Sequence, residues 1–308
     1  MAFTLNMTGT TQVDDSIITE FDQQFIIAAA DEGIMEQLVT YKKVIGAKSV
    51  DFEKYAQMSL ATTALTEDED ATSQALSDTN ILITPAEYGS VVTKTRLASL
   101  QTGGKVDLAA ARLTGINMGR SQDKSAILRL EAGTNVLTPA GGAEGAIVVG
   151  DVMTVSFLNK LYNKLARTSI MPLSEGMYVA VLHDDVIYDL RNSTGSGSWV
   201  DISKYSRPEE VLKNEIGMLC GFRILRDNNI TINADAGDGT VDTYHSLYLG
   251  FNALGKAVSE EPGGKITGPF DKLGRFLNVG WYGVYEYGIV DTDALWVGTT
   301  ASSVGANT

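Results

Sequence analysis

The chain of 308 residues contains one cysteine and two histidines. The single cysteine, Cys220, excludes an internal disulfide bond and any zinc site built from several thiolates. No apolar run reaches the roughly 18 residues that a transmembrane helix needs. The first residues, "MAFTLNMTGTTQVDD", have neither the basic flank nor the apolar core of a signal peptide. We therefore expect a protein that is made in the cytoplasm and has no membrane partner.

Basic residues are also scarce. Lys and Arg total 24 against 38 Asp and Glu, which gives a formal net charge of −14. No run of Lys or Arg is long enough to form a basic patch, so phosphate backbones should be repelled and recognition of nucleic acid is not expected. The composition, 44% hydrophobic and 20% charged, is typical of a folded soluble protein.

The stretch "VLHDDVIYDL" concentrates polar groups of the kind that bind divalent metals. His183, Asp184 and Asp189, with Asp185 between them, could hold an ion and activate a water for hydrolysis. A structural interpretation competes with this one. The apolar strand "MYVAVL" would end at His183, and the two adjacent aspartates would lie in the first turn of a helix, where carboxylates cap free N–H groups.

The second histidine bears on the choice between these interpretations. A metal site usually draws more than one imidazole from different elements. His245 lies in "TYHSLYLGF", where it alternates with Leu247, Leu249 and Phe251, and this pattern is typical of a core histidine with a hydrogen-bond partner. We favour the structural interpretation and keep a metal-dependent hydrolase built on His183, Asp184 and Asp189 as the alternative from a different class.

Two further stretches suggest ligand binding but depart from the known patterns. "AGGAEGAIVVGD" lacks the Gly-Lys-Ser/Thr ending of a phosphate loop, so residues 136–150 are interpreted as a flexible linker. "NADAGDGTVD" has Tyr244 where an EF-hand needs its closing Glu, and a strand-connecting turn is favoured. The chain has no G-x-S-x-G, and Cys220 has no neighbouring base. We predict no catalytic residue, no cofactor and no metal site, hence no enzyme.

Hydrophobic spacing predicts a mixed α+β order of elements. Helical spacing between Phe21 and Ile45 follows an extended start, and residues 46–97 suggest a two-stranded excursion. An isolated hairpin of that length is only marginally stable, so it should rest on something else. A long helix is predicted from Val106 to Glu131. Its expected buried stripe is Leu113, Ile116, Ile127 and Leu130. The tip of the excursion is acidic, with Glu67, Asp68, Glu69 and Asp70.

Arg120 and Asp123 lie three residues apart on the predicted long helix. At this spacing, opposite charges pair with each other at the surface of a helix. The alternative is that these two residues meet charges on another chain. Both possibilities are open at the level of sequence.

Two adjoining windows carry a family resemblance. "EGMYVAVLHDDVIYDLRNSTGSGSWVDISKY", followed by "NEIGMLCGFRILRDNNI", resembles the major capsid proteins of tailed bacteriophages with the Hong Kong 97-type fold, and most closely the branch of the N4 phage coat protein. Where many relatives have a proline after the apolar strand, this chain has His183 with Asp184 and Asp185. The matching residues are Tyr188, Asp189, Leu190, Trp199, Tyr205, Gly217, Gly221 and Phe222.

The resemblance implies an α+β fold with five parts. These are an N-terminal arm (1–45), an extended loop formed by a long β-hairpin (46–97), a peripheral domain with a spine helix (98–149), an axial domain (150–265) and a return to the peripheral domain with a C-terminal tail (266–308). It also implies a structural protein that self-assembles into hexamers and pentamers of an icosahedral head around double-stranded DNA. Scaffolding, portal and cement proteins would be further partners.

The resemblance also gives expectations about location and contacts. The protein would be synthesised in the host cytoplasm and reside in the virion, and it would enclose DNA without reading its sequence. Lys54 is the only lysine well inside the first strand of the excursion, and no cross-link is predicted there. The near alternative is an encapsulin-type compartment shell. Candidate assembly residues are Glu67, Asp68, Glu69, Asp70, Arg120 and Asp123.

Overall fold

A computed structural model describes residues 33–56, 58–65, 67–68, 70–174, 176–193, 214–269 and 271–304. The α-helices in these ranges are α1 (Arg96–Gln101), α2 (Lys105–Glu131), α3 (Val155–Arg167) and α4 (Asp184–Asn192). The strands are β1 (Thr40–Lys43), β2 (Val50–Tyr55), β3 (Asp78–Ile83), β4 (Ala86–Thr95), β5 (Val136–Leu137), β6 (Tyr178–Leu182), β7 (Glu215–Leu219), β8 (Phe222–Arg226), β9 (Ile232–Asn233), β10 (Thr243–Leu249), β11 (Leu254–Thr267), β12 (Phe276–Ile289) and β13 (Leu295–Thr300). No helix among the described residues has the length and apolarity to span a membrane.

One sheet carries the long helix. Its strand order is β1-β11-β12-β4, and α2 packs on β12 and β11. The 27 residues of α2 extend over about 40 Å at the rise of an α-helix. Trp281 of β12 joins the two elements, because its Nε1 donates to Asn117 Oδ1 at 2.8 Å. The long helix therefore packs along this sheet and is fixed to it by a side-chain hydrogen bond.

The second sheet forms the other body of the chain, with the order β5-β13-β10-β6-β8-β7 and with β9 paired to β10. Every residue of β6 is buried, since β6 lies between β10 and β8. Helix α3 covers this sheet with Phe157, Leu158, Leu161 and Leu165. Thr154 caps α3 by accepting from Phe157 N, and the helix begins at Val155.

The bounds predicted for the long helix are correct to within one residue, but its predicted stripe is only partly buried, and Ile116 is intermediate. Ile127 and Leu130 are fully buried, whereas Leu113 is 65% exposed. Small residues make the buried face of the first half, because they let the helix approach the sheet closely. The buried residues of α2 are Ala110, Ala111, Thr114, Gly115, Met118, Gly119, Gln122, Asp123, Ala126, Ile127 and Leu130.

The excursion is shorter than predicted. β2 and β3 pair antiparallel as a hairpin base, from Val50 opposite Ile83 to Tyr55 opposite Asp78. Val91 and Val92, in the second half of the predicted excursion, lie on β4, which pairs with β12 rather than with β2. The prediction of a single hairpin over 46–97 is therefore wrong for its second half, because β4 pairs with β12, a longer strand far along the chain.

The chain before the excursion also differs from the sequence prediction. Met35–Leu38 forms a 3-10 turn, and Thr40–Lys43 is a strand that pairs parallel with β11, where helical spacing had been expected. Residues 1–32 of the predicted arm lie outside the described residues. Trp199 and Tyr205, two residues of the resemblance window, also lie outside them.

Candidate functional site

His183 lies at the transition from β6 to α4, as predicted. Its Nδ1 accepts a hydrogen bond from Asp185 N at 3.2 Å, so the histidine is the N-cap of α4. Asp184 and Asp185 occupy the first turn, and Val186, Ile187 and Leu190 are buried beneath it. The structural interpretation of this stretch is confirmed, with the imidazole rather than a carboxylate as the capping group.

The three aspartates of this stretch bind partners in three separate segments of the chain. Asp184 binds Asn228 Nδ2 at 3.0 Å and lies 3.4 Å from Arg226 Nε. Asp185 accepts from Tyr244 OH at 2.9 Å. Asp189 is 6% exposed and accepts from Ser303 N at 3.0 Å and from the Ser303 hydroxyl. Since these bonds diverge, they tie α4 to three neighbouring segments. In the described part of the chain, no group of three His, Cys, Asp or Glu side chains could hold a metal ion.

His245 is a half-buried histidine with polar partners, as predicted for it. Its Nε2 lies 3.1 Å from Glu144 Oε1 and 3.1 Å from Asn233 Nδ2. Glu144 also accepts from Asn233 Nδ2 at 2.9 Å and from the Thr243 hydroxyl. Burial alone would raise the pKa of Glu144, but hydrogen bonds from Thr243, Asn233 and His245 lower it below its ordinary value. Phe251, expected on the same face, lies beyond β10 and is exposed.

The segment 136–150 is not a loose linker. Val136 and Leu137 pair with β13, and Glu144 joins the segment to β9 and β10 as described above. Ile147 is fully buried in a small cluster with Val241 and Ala301. The prediction of a flexible linker is wrong, because side chains from distant strands fasten the Gly-rich stretch. The turn predicted at residues 233–242 is present between β9 and β10, where Asp235 N donates to Asp242 Oδ1 at 3.0 Å.

The base of the excursion is anchored to the body of the chain, and the described residues beyond the base are exposed to solvent. Phe52 and Ile83 are buried among Val44, Ala257 and Val290. Beyond the base, all the described residues between Ala56 and Ser77 are exposed, including Glu67, Asp68 and Asp70. Glu69 lies outside the described residues. Four large apolar residues of this segment are uncovered, namely Met58, Leu60, Leu65 and Leu76.

Arg120 and Asp123 are not an exposed pair. Arg120 is exposed, but Asp123 is only 1% exposed and accepts from Ile34 N at 3.0 Å, Met35 N at 2.8 Å and Asn229 Nδ2 at 3.0 Å. The predicted surface pair is therefore wrong. Asp123 also cannot meet a charge on another chain, because its carboxylate is satisfied inside its own. Arg120 remains a candidate assembly residue.

Two buried aspartates that join distant segments of the chain were not predicted from the sequence. Asp227 is 2% exposed beside Asp123, although "LRDNNI" indicates only a strand followed by a polar turn. Asp291, which accepts from Lys54 at the base of the excursion, lies in "VDTDAL", a pattern that indicates only a polar turn. In both cases the partner is far away in sequence, and local patterns contain no signal for it.

Comparison with known proteins identifies the fold. No protein-family model matches the chain, and no curated protein matches its sequence. The capsid of Ralstonia phage GP4 matches with a TM-score of 0.72 at 15% identity, over 90% of this chain and 93% of that one. The capsid of cyanophage Pam1 matches with a TM-score of 0.67 at 12% identity, over 89% and 93%. A virus-like particle from Pyrococcus furiosus matches with a TM-score of 0.57 at 11% identity, over 91% and 98%.

At these identities the likeness establishes the fold rather than the function. The chain has the mixed helix and sheet architecture of phage capsid subunits, and the predicted α+β fold of the Hong Kong 97 type is confirmed.

Proposed function

We propose that the chain is the major capsid protein of a bacteriophage head and assembles into hexamers and pentamers of an icosahedral shell around double-stranded DNA. The carrying observation is the extent of the structural match, which covers 90% of this chain and 93% of the GP4 capsid chain. A match of this extent includes the elements of a whole capsid subunit rather than one shared motif. On this proposal the protein is structural and has no catalytic activity.

The uncovered part of the excursion supports assembly. Monomeric soluble proteins seldom expose contiguous apolar surface, and larger patches mark interaction sites. Met58, Leu60, Leu65 and Leu76 are between 57% and 86% exposed within one segment. A neighbouring subunit would cover them. Many modest contacts of this kind sum through closed symmetry into a stable container.

The five-part division of the chain is part of the same proposal. The arm would be residues 1–45, the extended loop 46–97, the peripheral domain with spine helix α2 98–149, the axial domain 150–265, and the return to the peripheral domain 266–308. In support, α2 packs on the sheet that contains β4, β11 and β12, while β6, β7, β8, β9 and β10, all within 150–265, belong to the other sheet. Two strands depart from these bounds. β4 (Ala86–Thr95) lies within 46–97 but pairs with β12, and β11 crosses the last boundary, since it runs from Leu254 to Thr267.

The finer assignments rest on the sequence. Tyr188, Asp189 and Leu190 on α4, together with Gly217 and Gly221, support the branch of the N4 phage coat protein. The acidic composition supports a shell that encloses DNA without adhering to it. Synthesis in the host cytoplasm, residence in the virion, and partners such as scaffolding, portal and cement proteins follow from this assignment. Glu67, Asp68, Glu69, Asp70 and Arg120 are the proposed assembly residues.

A second candidate function is a compartment shell of the encapsulin type. The match to the Pyrococcus furiosus virus-like particle supports this second candidate. The two functions use the same subunit architecture and differ in what the shell contains.

Expression of the full chain, with and without a scaffolding partner, tests both proposals. Size-exclusion chromatography and electron microscopy should reveal closed shells or rings of subunits. Nucleic acid recovered from phage-derived shells after nuclease treatment supports the capsid, whereas packaged protein cargo supports the compartment. A stable monomer or dimer under every assembly condition, or a stoichiometric divalent ion lost on His183→Ala, overturns the shell.

A further inference from the structure

Two buried carboxyl groups meet where three parts of the chain converge. Asp123 on α2 is 1% exposed, and Asp227, directly after β8, is 2% exposed. Asn229 bonds both of them, because its Nδ2 donates to Asp123 Oδ2 at 3.0 Å and its backbone N donates to Asp227 Oδ1 at 2.8 Å. A hydrogen bond between carboxyl groups needs a proton on one of them, because an ionised carboxylate only accepts.

The surrounding bonds identify the protonated group. Oδ1 of Asp123 accepts from the backbone N–H groups of Ile34 and Met35, and its Oδ2 accepts from Asn229 Nδ2. Asp123 therefore has the bonding pattern of an ionised carboxylate. Oδ1 of Asp227 accepts from Asn229 N at 2.8 Å, whereas its Oδ2 is buried and has no donor among the described residues. A proton on that oxygen gives it a partner in Asp123.

Charged groups from each packed element set the local balance. Lys124 on α2 is attracted to Asp227, although its Nζ already donates to Asn229 O at 2.9 Å and contacts Thr231 Oγ1. Arg120 and Arg226 line a polar cavity of about 240 Å³ beside Asp227.

Further ionised groups lie around the junction. Arg226 is 3.4 Å from Asp184 on α4. On the side of Met35, Glu36 is paired with Lys256 at 2.6 Å. On the far side of the loop, Glu131 accepts from Thr231 N at 2.9 Å. Each of these carboxylates already has its own donor, so none supplies the missing partner of Asp227.

We propose that Asp123 and Asp227 share one proton, and that this proton holds the loop of residues 227–231 against α2 and the segment at Ile34 and Met35. When the proton leaves, two like charges face each other in a buried junction, and the loop is repelled from the helix. The junction is thus a proton-dependent latch between the long helix and the second sheet. The inference concerns the single chain and does not depend on the shell.

The protonation properties of Asp227 agree with this geometry. Burial, together with the hydrogen bond and the charge of Asp123, raises the pKa of Asp227 from 3.8 to about 8, although Asn229 N–H and Lys124 act in the opposite direction. A carboxyl group with a raised pKa stabilises the closed state fully below its ordinary pKa. That stabilisation declines as pH rises from 3.8 to about 8 and is constant above.

Hydrogen exchange of the full chain tests the latch, with rates corrected for the intrinsic pH dependence of exchange. In the wild type, protection of the amides in 227–231 should fall about tenfold per pH unit between pH 6 and about 8 and then level off. Asp227→Asn carries a permanent amide donor and should remove this pH dependence. Asp238→Asn, at an exposed turn, is the matched control and should behave as the wild type.

Identical pH dependence in the wild type and in Asp227→Asn overturns the latch. Infrared spectroscopy of the wild type supplies a measurement that does not require the variant to fold. A protonated carboxyl band at neutral pH that disappears across about pH 8 supports the shared proton. The absence of such a band overturns it.

Discussion

Lys54 Nζ lies 2.6 Å from Asp291 Oδ1 and joins the base of the excursion to the turn after β12. Asp293 Oδ2 is 3.2 Å from the same nitrogen. Burial alone would lower the pKa of Lys54, but the hydrogen bonds that it donates to Asp291 and Asp293 raise it, so the ammonium form is favoured. One lysine thus fixes the hairpin where it leaves the body of the chain, and the exposed tip projects from an anchored base.

Replacement of Lys54 by Met should weaken that anchor. The side chain of Asp291 is only 12% exposed and would lose its cationic partner. We expect the free energy of unfolding to fall by about 1 kcal/mol, the upper range for a partly exposed pair. Urea titrations of Lys54→Met, Asp291→Asn and the double variant would isolate the coupling energy. Lys265→Met is the matched control, because its pair with Glu260 is half exposed on both sides and should contribute almost nothing.

Removal of the Asp189 carboxylate should destabilise the chain without affecting metal binding. In Asp189→Ala, Ser303 N and its hydroxyl lose their acceptor, and a lost bond to a charged group costs about 1.5–3 kcal/mol. Asp184→Ala removes a more exposed carboxylate and should have a smaller effect. Chemical denaturation measures the stabilities, and calorimetric titration with zinc or manganese measures binding. Saturable binding that Asp189→Ala abolishes would instead favour the hydrolase.

Glu144 should contribute to the acid sensitivity of the second sheet. Its pKa is below its ordinary value of 4.5, since the bonds from Thr243, Asn233 and His245 outweigh the opposing effect of burial. A carboxylate with a lowered pKa stabilises the fold above its ordinary pKa, and this contribution is lost as pH falls through the lowered value. Glu144→Gln should therefore flatten the loss of stability below pH 4.5. Denaturant titrations across this pH range would measure the effect, with Asp238→Asn as the exposed control. If both variants lose stability as the wild type does, the prediction is wrong.

Gly221, part of the resemblance window, should tolerate no side chain. It adopts a φ of +81°, and a Cβ atom there would lie 2.4 Å from the Tyr162 ring. Both the left-handed backbone and the collision oppose Gly221→Ala, and a loss of about 2 kcal/mol or more is expected. Gly150→Ala, where a Cβ meets nothing within 4 Å, is the control and should be near neutral in thermal unfolding.

The sequence predicted local elements better than their partners. α2 was located from its continuous helical pattern, and β6 and α4 from an apolar strand followed by helix-start residues. The buried face of α2 was missed, because Ala111, Gly115 and Gly119 are too small to produce a hydrophobic stripe. Asp123 was placed at the surface, since its partners Ile34 and Asn229 lie 89 and 106 residues away in sequence. Burial of a polar group depends on such distant contacts, which no local spacing encodes.

Substitutions in the acidic tip of the excursion can distinguish a role in folding from a role in assembly. Glu67, Asp68 and Asp70 are exposed, and none of them forms an ion pair with another described residue. The triple variant E67Q/D68N/D70N should therefore leave the free energy of unfolding within about 0.5 kcal/mol of the wild type. If a neighbouring subunit presents cations to the tip, the same variant should give fewer closed shells by electron microscopy.

The effect of the tip should be largest at low salt, because salt screens exposed charges over about 10 Å at 0.1 M. A variant with equal loss of charge elsewhere, D235N/D238N/E260Q, distinguishes contact from net charge, since all three of its acids are also exposed. Equal yields from the two triple variants would assign any change to the overall charge of the shell. A selective loss in the tip variant places the acidic tip at a contact between subunits.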